Sequence, residues 1–272
     1  MKRSVRIGLT AVLTLVFLIS GFRFVQSQRE KSHGNSTYEA AQQLAAESRQ
    51  DVPQSASVTE EPAQERQPQW MVAPIEEDDP HIKTLEAMDL TALREVNPDV
   101  VGWILIPDTE INYPLLQGPD NDYYLQRTWD HKSNAMGSIF LECMNLPELT
   151  NYNTIVYGHN MNDGSMFADI REYRNLEFWK NHPYVYILSD FGVYRYEVFS
   201  SYPANVKGIA YTLMFPDKAA RTKFLDSVIA SSSIDTGLRP EDTDRILTLS
   251  TCHGAGYSHR WVVHARLKMV LQ

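Results

Sequence analysis

Cys252 and His159 are the residues of this chain best suited to nucleophilic chemistry. Cys252 closes the run Thr248-Leu249-Ser250-Thr251-Cys252 and is followed by His253-Gly254. Alternation along an extended run sets Ile246, Thr248, Ser250 and Cys252 on one face and Leu247, Leu249 and Thr251 on the other. A thiol at a strand end, before a glycine-containing loop, can reach a substrate. An unperturbed thiol is mostly protonated at neutral pH, so it needs a base. Of the eight histidines, His159 follows the apolar run Thr154-Ile155-Val156-Tyr157 and Gly158, so it too stands at a strand end. Spacing leaves His253 open as an alternative. His33 and His81 lie in or near a polar stretch, His131 and His182 in polar loops, His259 beside the cysteine loop and His264 inside the last strand.

Acyl transfer also needs a donor for the oxyanion. Arg260 follows Cys252 by eight residues. That spacing suits a loop between adjacent antiparallel strands and would bring Arg260 back beside Cys252. Its face then carries Val262, His264 and Arg266, with Trp261, Val263, Ala265 and Leu267 on the other. Taken alone, an arginine there reads better as a surface cation or as the partner of an acidic neighbour. The second cysteine, Cys143, stands in a loop after Leu141 and reads as a bystander, although two cysteines in an exported chain first suggest a disulfide. Cys252, His253 and His259 are ligand types, but Cys-x-x-Cys and His-x-x-x-His spacings are absent. So are a phosphate-binding glycine loop and a Gly-x-Ser-x-Gly elbow. No metal and no cofactor is expected.

The elements that position these residues are mostly short strands. Val101 to Ile106 and Ile111 to Leu116 flank the turn signal Pro107-Asp108. Ser138 to Leu141, Thr154 to Tyr157, Tyr184 to Leu188, Val193 to Ser200, Arg245 to Thr251 and Arg260 to Leu271 complete eight. Helical spacing covers Lys83 to Val96, Phe167 to Trp179 and Lys218 to Ser231, the last with Asp217 as N-cap. The pattern is mainly β with helical insertions, and it favours an eight-stranded β-barrel over a doubly wound sheet.

The chain divides into three regions. Its 272 residues carry 25 basic and 34 acidic side chains, a net charge of −9, which disfavours a nucleic-acid partner. Hydrophobic residues make up 43%, enough for a sizeable core. Residues 1–25 read as a cytoplasmic tip and transmembrane signal anchor: Lys2, Arg3 and Arg6 precede the uncharged run Ile7 to Phe22, which orients the rest outward. No small-residue cleavage site clearly ends the run, which favours a retained anchor over a cleaved signal. Residues 26–80, rich in Gln, Ser, Glu and Pro, read as a mostly disordered polar tether, with a short helix allowed over Tyr38 to Ser48 and an apolar island at Trp70 to Ile75. Residues 81–272 read as the folded domain.

Thr248-Leu249-Ser250-Thr251-Cys252 followed by Arg260 resembles the signature of the sortases, the cysteine transpeptidases of Gram-positive surfaces, and Gly158-His159-Asn160-Met161 resembles their histidine segment. Asn97-Pro98-Asp99-Val100-Val101-Gly102-Trp103-Ile104, Asp120-Asn121-Asp122-Tyr123-Tyr124-Leu125 and Gly137-Ser138-Ile139-Phe140 are similar to class B segments, as is the helix-bearing stretch from about Pro203 to Asp244. The resemblance implies the sortase barrel and a membrane-held monomer with its catalytic domain outside the cell. It implies Cys252 as nucleophile, His159 as general acid and base, and Arg260 as oxyanion or substrate stabiliser. Asn121, Leu125 and Ser250 match substrate-groove positions. The implied partners are surface proteins bearing a C-terminal sorting motif and an amine of the peptidoglycan precursor. Two other readings stand beside this one. One is an anchored cysteine peptidase that only hydrolyses. The other is a non-catalytic surface module stapled by a Cys143–Cys252 disulfide. A papain-like order is disfavoured, because His159 precedes Cys252.

Overall fold

The computed structural model describes residues 3–47, 79–252 and 258–271. The long helix α1 (Arg3–Glu47) comes first, followed by α2 (Pro80–Glu86) and α3 (Thr91–Val96). The strands are β1 (Val100–Leu105), β2 (Asn112–Leu116), β3 (Ile139–Leu141), β4 (Asn153–Tyr157), β5 (Tyr184–Ser189), β6 (Gly192–Asn205), β7 (Ile246–Cys252) and β8 (His259–Leu271). Helix α4 (Leu176–Asn181) precedes β5, and α5 (Lys218–Ala230) lies between β6 and β7. The strands close into a barrel in the order β1-β2-β3-β4-β7-β8-β6-β5. Two of its pairings, β2 with β3 and β4 with β7, are parallel.

Alternation fills the barrel. Trp103, Leu115, Phe140, Val156, Leu247, Leu249, Val263 and Ala265 belong to one buried core. A second cluster, with Phe199, Tyr202, Phe224, Val228, Ile246 and Val262, forms where α5 covers the opposite faces of β6, β7 and β8. Asp217 caps α5 by accepting from the Ala220 N–H at 2.8 Å.

All eight expected strands are present, with ends shifted by a residue or so except that β6 runs on to Asn205. The helical expectations need correction. The Lys83 to Val96 helix is two helices, α2 and α3. The break comes where the Asp89 N–H donates to the Ala45 carbonyl of α1, and the Asp89 carboxylate then accepts from the Thr91 N–H. Phe167 to Trp179 is a 3₁₀ stretch, Ala168–Arg174, followed by α4, with Asn175 capping the second piece.

The N-terminal half of the expected tether is also different. Residues 26–47 continue α1, and its last turns dock on the barrel. Tyr38, Ala41 and Ala45 share a helical face and are buried in the main core. The Tyr38 hydroxyl donates to the Gly137 carbonyl, Gln42 donates to the Asn112 carbonyl, and the Trp129 indole donates to the Thr37 carbonyl. The Trp70 to Ile75 island lies outside the described residues. Further toward the N-terminus, Phe17 and Phe22 of α1 are 77% and 70% exposed. Among the described residues no helix is long and apolar enough to cross a membrane. The apolar run begins at Ile7, ahead of Val12, the first residue whose side chain is described.

The docked end of α1 has a measurable consequence. Tyr38→Ala removes a buried ring, and truncations of this kind cost about 3 kcal/mol or more. Urea unfolding of the full chain should show a loss of that size. A change within about 0.5 kcal/mol, as for an exposed tether residue, would contradict the docking.

Candidate active site

Strand pairing alone brings the three sequence-predicted catalytic positions together. β7 and β8 are antiparallel, and Cys252 pairs directly with Arg260. β4 and β7 are parallel, with Tyr157 opposite Ser250, and the Gly158 N–H donates to the Ser250 carbonyl at 3.1 Å. Two residues further along each of these parallel strands stand His159 and Cys252. The histidine therefore leaves the barrel at the same end as the cysteine, on neighbouring strands. His253 lies outside the described residues. His33, His81, His131 and His182 do not line the groove at this rim, and His264 is fully buried.

A groove of about 400 Å³ opens at this end. His159 and Arg260 line it, as do the expected binding residues Asn121, Leu125 and Ser250. Tyr157, Phe140, Tyr211 and Thr251 also line it and were not anticipated as site residues. The signal for Tyr157 was its place in the strand before the histidine. Tyr211 carried no signal, because it arrives from the long β6–β7 connection. Cys143 is a free thiol, which removes the disulfide staple.

His159 is held from three sides. Its carbonyl accepts from the Phe167 N–H at 2.8 Å, and Gly158 ties its backbone to β7. Its Nε2 donates to the Leu125 carbonyl at 2.6 Å. A carbonyl only accepts, so Nε2 carries a proton in this contact. The Leu125 carbonyl is itself fixed. It belongs to the 3₁₀ turn Tyr123–Gln126, where the Tyr124 hydroxyl donates to Asp99 at 2.6 Å and accepts from Asn97 at 2.9 Å. The Asn97-Pro98-Asp99 segment thus acts on the histidine through Tyr124.

Gly137 completes this support. Its φ is +61°, and a Cβ there would stand 2.6 Å from the Leu125 carbonyl oxygen and 2.9 Å from Cδ2 of His159. Only glycine lets the two approach.

The opposite wall depends on a buried polar chain. Asn153 donates to the carbonyls of Ala210 and Thr212 and accepts from the Thr248 hydroxyl at 2.7 Å. With its proton so used, the Thr248 oxygen accepts from Nδ1 of His264 at 2.9 Å. Burial pushes His264 down to about 3, so it is neutral in the folded chain. The chain pins the 210–212 segment, and Tyr211 from that segment shares a 2.8 Å hydrogen bond with Ser250 in the groove.

The comparisons with known proteins agree with this geometry. The sortase domain family matches residues 104–268. The chain is 40% identical over 164 residues to sortase B of Listeria monocytogenes, covering 60% of this chain and 67% of that protein. It is 29% identical over 255 residues to sortase B of Staphylococcus aureus, covering 94% of this chain and 92% of that one. The structure of Bacillus anthracis sortase B in complex with AAEK1 superposes with a TM-score of 0.68 at 31% identity, over 90% of this chain and 99% of that one. A Staphylococcus aureus sortase B–substrate complex gives 0.63 at 32% identity, over 70% and 87%. The barrel and the family model together define a sortase, a class of cysteine transpeptidases. The chain belongs to the sortase family, and the relatives it matches by sequence and by fold are sortases B.

Gly137→Ala tests the support of the histidine. A methyl group there pushes the Leu125 carbonyl and the imidazole apart, and misplacing a catalytic group by about 1 Å costs on the order of 10²-fold. Turnover should fall by that order while circular dichroism still reports a folded barrel. Unchanged turnover would mean that Gly137 does not set the histidine's position.

Proposed function

We propose that this chain is a membrane-anchored class B sortase. In this reading it cleaves a C-terminal sorting motif of exported proteins and joins them to an amine of the peptidoglycan precursor. The observation that carries the reading is the convergence of Cys252, His159 and Arg260 on one rim of a sortase barrel, beside a groove. A Staphylococcus aureus sortase B has been captured with a substrate, and a sortase B has been captured with triglycine, a small amine-bearing peptide.

The proposed reaction follows from what each group can do. The Cys252 thiolate attacks the carbonyl carbon of the scissile amide. Negative charge moves to the carbonyl oxygen, where the guanidinium of Arg260 donates to it. The tetrahedral adduct collapses, the C–N bond breaks, and His159 passes a proton to the leaving amine. A thioacyl enzyme remains. The acceptor amine attacks its carbonyl, His159 takes the amine's proton, and the Cys252 thiolate departs.

Anchoring is proposed on the sequence of the N-terminal run and on its basic flank. Held at the outer face, the enzyme meets exported substrates and a lipid-borne acceptor at high effective concentration. External protease on intact protoplasts should remove the barrel domain. A protected domain, or one released at full abundance into the medium, would refute the anchor.

Incubating the full chain with a pentapeptide library and an amine acceptor, with products read by mass spectrometry, tests the reaction. Amine-dependent ligation supports transfer, and cleavage indifferent to the amine would point to a peptidase. Cys252→Ala should abolish cleavage and the thioester, and Cys143→Ala should retain most activity. His159→Ala should lower turnover by about 10²- to 10⁴-fold. Arg260→Ala should cost about 10²- to 10³-fold or more, and Arg260→Lys should recover only part, because lysine lacks the planar fork of donors. Near-normal turnover in Arg260→Lys would remove Arg260 from the mechanism.

A further inference from the structure

The residue after β3 is a glutamate that the reaction as drawn does not use. Glu142 is only 5% exposed, yet it lies directly behind the groove. Its backbone N–H extends the β3–β4 pairing by donating to the Ile155 carbonyl at 2.8 Å, so the side chain leaves from a fixed point. Oε2 accepts from Asn121 Nδ2 at 2.7 Å and from the Tyr157 hydroxyl at 2.8 Å. Oε1 accepts from the Met144 N–H at 3.3 Å and from the Cys143 thiol at 3.4 Å. Burial by itself would raise this carboxyl. The hydrogen bonds from Asn121 and Tyr157 outweigh it and hold the group below the ordinary glutamate value. It is therefore a carboxylate, which only accepts.

That fact fixes the two groove residues it touches. The Cys143 N–H donates to Asn121 Oδ1 at 2.9 Å, and a backbone N–H has no other role to play. The Asn121 carboxamide is thus locked at both ends: its oxygen is turned to the backbone and its nitrogen to Glu142. Its nitrogen carries a second proton. Tyr157 gives its one proton to Glu142, which leaves its oxygen as an acceptor. Both residues line the groove.

We propose that Glu142 is a positioning residue that sets the hydrogen-bonding polarity of the substrate groove. It makes Asn121 a donor and Tyr157 an acceptor toward an extended peptide backbone, whose C=O and N–H they complement. The inference deepens the transpeptidase reading and rests on it for the identity of the ligand.

Glu142→Gln is close to isosteric and removes the charge. Its own NH₂ competes for the acceptor positions that Asn121, Tyr157 and Met144 need. Hydrogen bonds to charged groups are worth about 1.5–3 kcal/mol, which corresponds to roughly 10- to 100-fold. With a fluorogenic peptide chosen from the library by wild-type cleavage, Glu142→Gln of the full chain should raise KM at least about tenfold and change kcat far less. Asn121→Ala should also raise KM. Adding Glu142→Gln to it should raise KM by a clearly smaller factor than Glu142→Gln does alone, because the Asn121 arm is already lost and only the Tyr157 arm remains. A merely structural carboxylate would lower the melting temperature and add its penalty in full to the double variant. An unchanged KM in Glu142→Gln, or full additivity, overturns the proposal.

If Glu142→Gln does not fold, Asn121→Asp takes its place. The aspartate still accepts from the Cys143 N–H but cannot donate to Glu142, so KM should rise by a similar factor, and a near-normal KM overturns the proposal. If the wild type cleaves no peptide in the library, the transpeptidase reading fails instead. The side-chain amide protons of Asn121, observed by ¹⁵N NMR in the full chain, then decide this inference alone. They should be a slowly exchanging, inequivalent pair in the wild type and exchange faster in Glu142→Gln. Equal exchange in both would refute the lock.

Discussion

The site depends on one pairing, the parallel register of β4 against β7. Antiparallel neighbours leave a barrel from opposite ends. Parallel neighbours leave from the same end, and Tyr157 opposite Ser250 puts the two exits level. His159 and Cys252 follow as a matter of counting. β8 then returns antiparallel to β7 and places Arg260 across from Cys252. Three adjacent strands thus bring His159, more than ninety positions away in sequence, to the same rim as Cys252 and Arg260, which one short loop separates. Side chains alternate with a period of two, so a slip of one residue in either pairing would turn its functional residue to the other face. The buried faces prevent such a slip: Leu247 and Leu249 are committed to one core and Ile246 to the other.

The features legible in the sequence were those encoded by local pattern. The strands could be read because each is a short apolar run bounded by turn residues, as at Pro107-Asp108, where Asp108 takes a φ of 57°. The pairing of Cys252 with Arg260 could be read because the spacing between them suits a short return loop. The membership of the sortase family followed from the motif residues themselves. The failures arose where contacts from distant parts of the chain decide the outcome. The break between α2 and α3 is made by the Ala45 carbonyl, more than forty positions from Asp89. The docked part of α1 had a signal in the spacing of Tyr38, Ala41 and Ala45, but a helix stripe two-thirds alanine in a Gln- and Glu-rich stretch reads as solvated. Residues 48–78 of the expected tether lie outside the described residues.

Support for the site was the least legible layer. Gly137 was visible as part of a motif, but its reason is the van der Waals radius of a carbonyl oxygen and an imidazole carbon contributed by two other segments. Asn97 and Asp99 act on His159 through a tyrosine hydroxyl and a 3₁₀ turn. Glu142 is charged, buried and next to a cysteine, and nothing in its sequence neighbourhood distinguishes it from a loop carboxylate. Each of these residues has its effect through space, on a partner whose own position depends on the barrel being closed.

Helix α1 changes the mechanics of the molecule. Its 45 residues extend about 68 Å at 1.5 Å per residue. Its C-terminal turns are keyed into the barrel through Tyr38, Ala41 and Ala45. A flexible leash would let the groove sample a hemisphere of heights and tilts. A rod clamped at one end transmits torque, so whatever fixes the azimuth and inclination of its N-terminal turns also fixes the direction in which the groove opens.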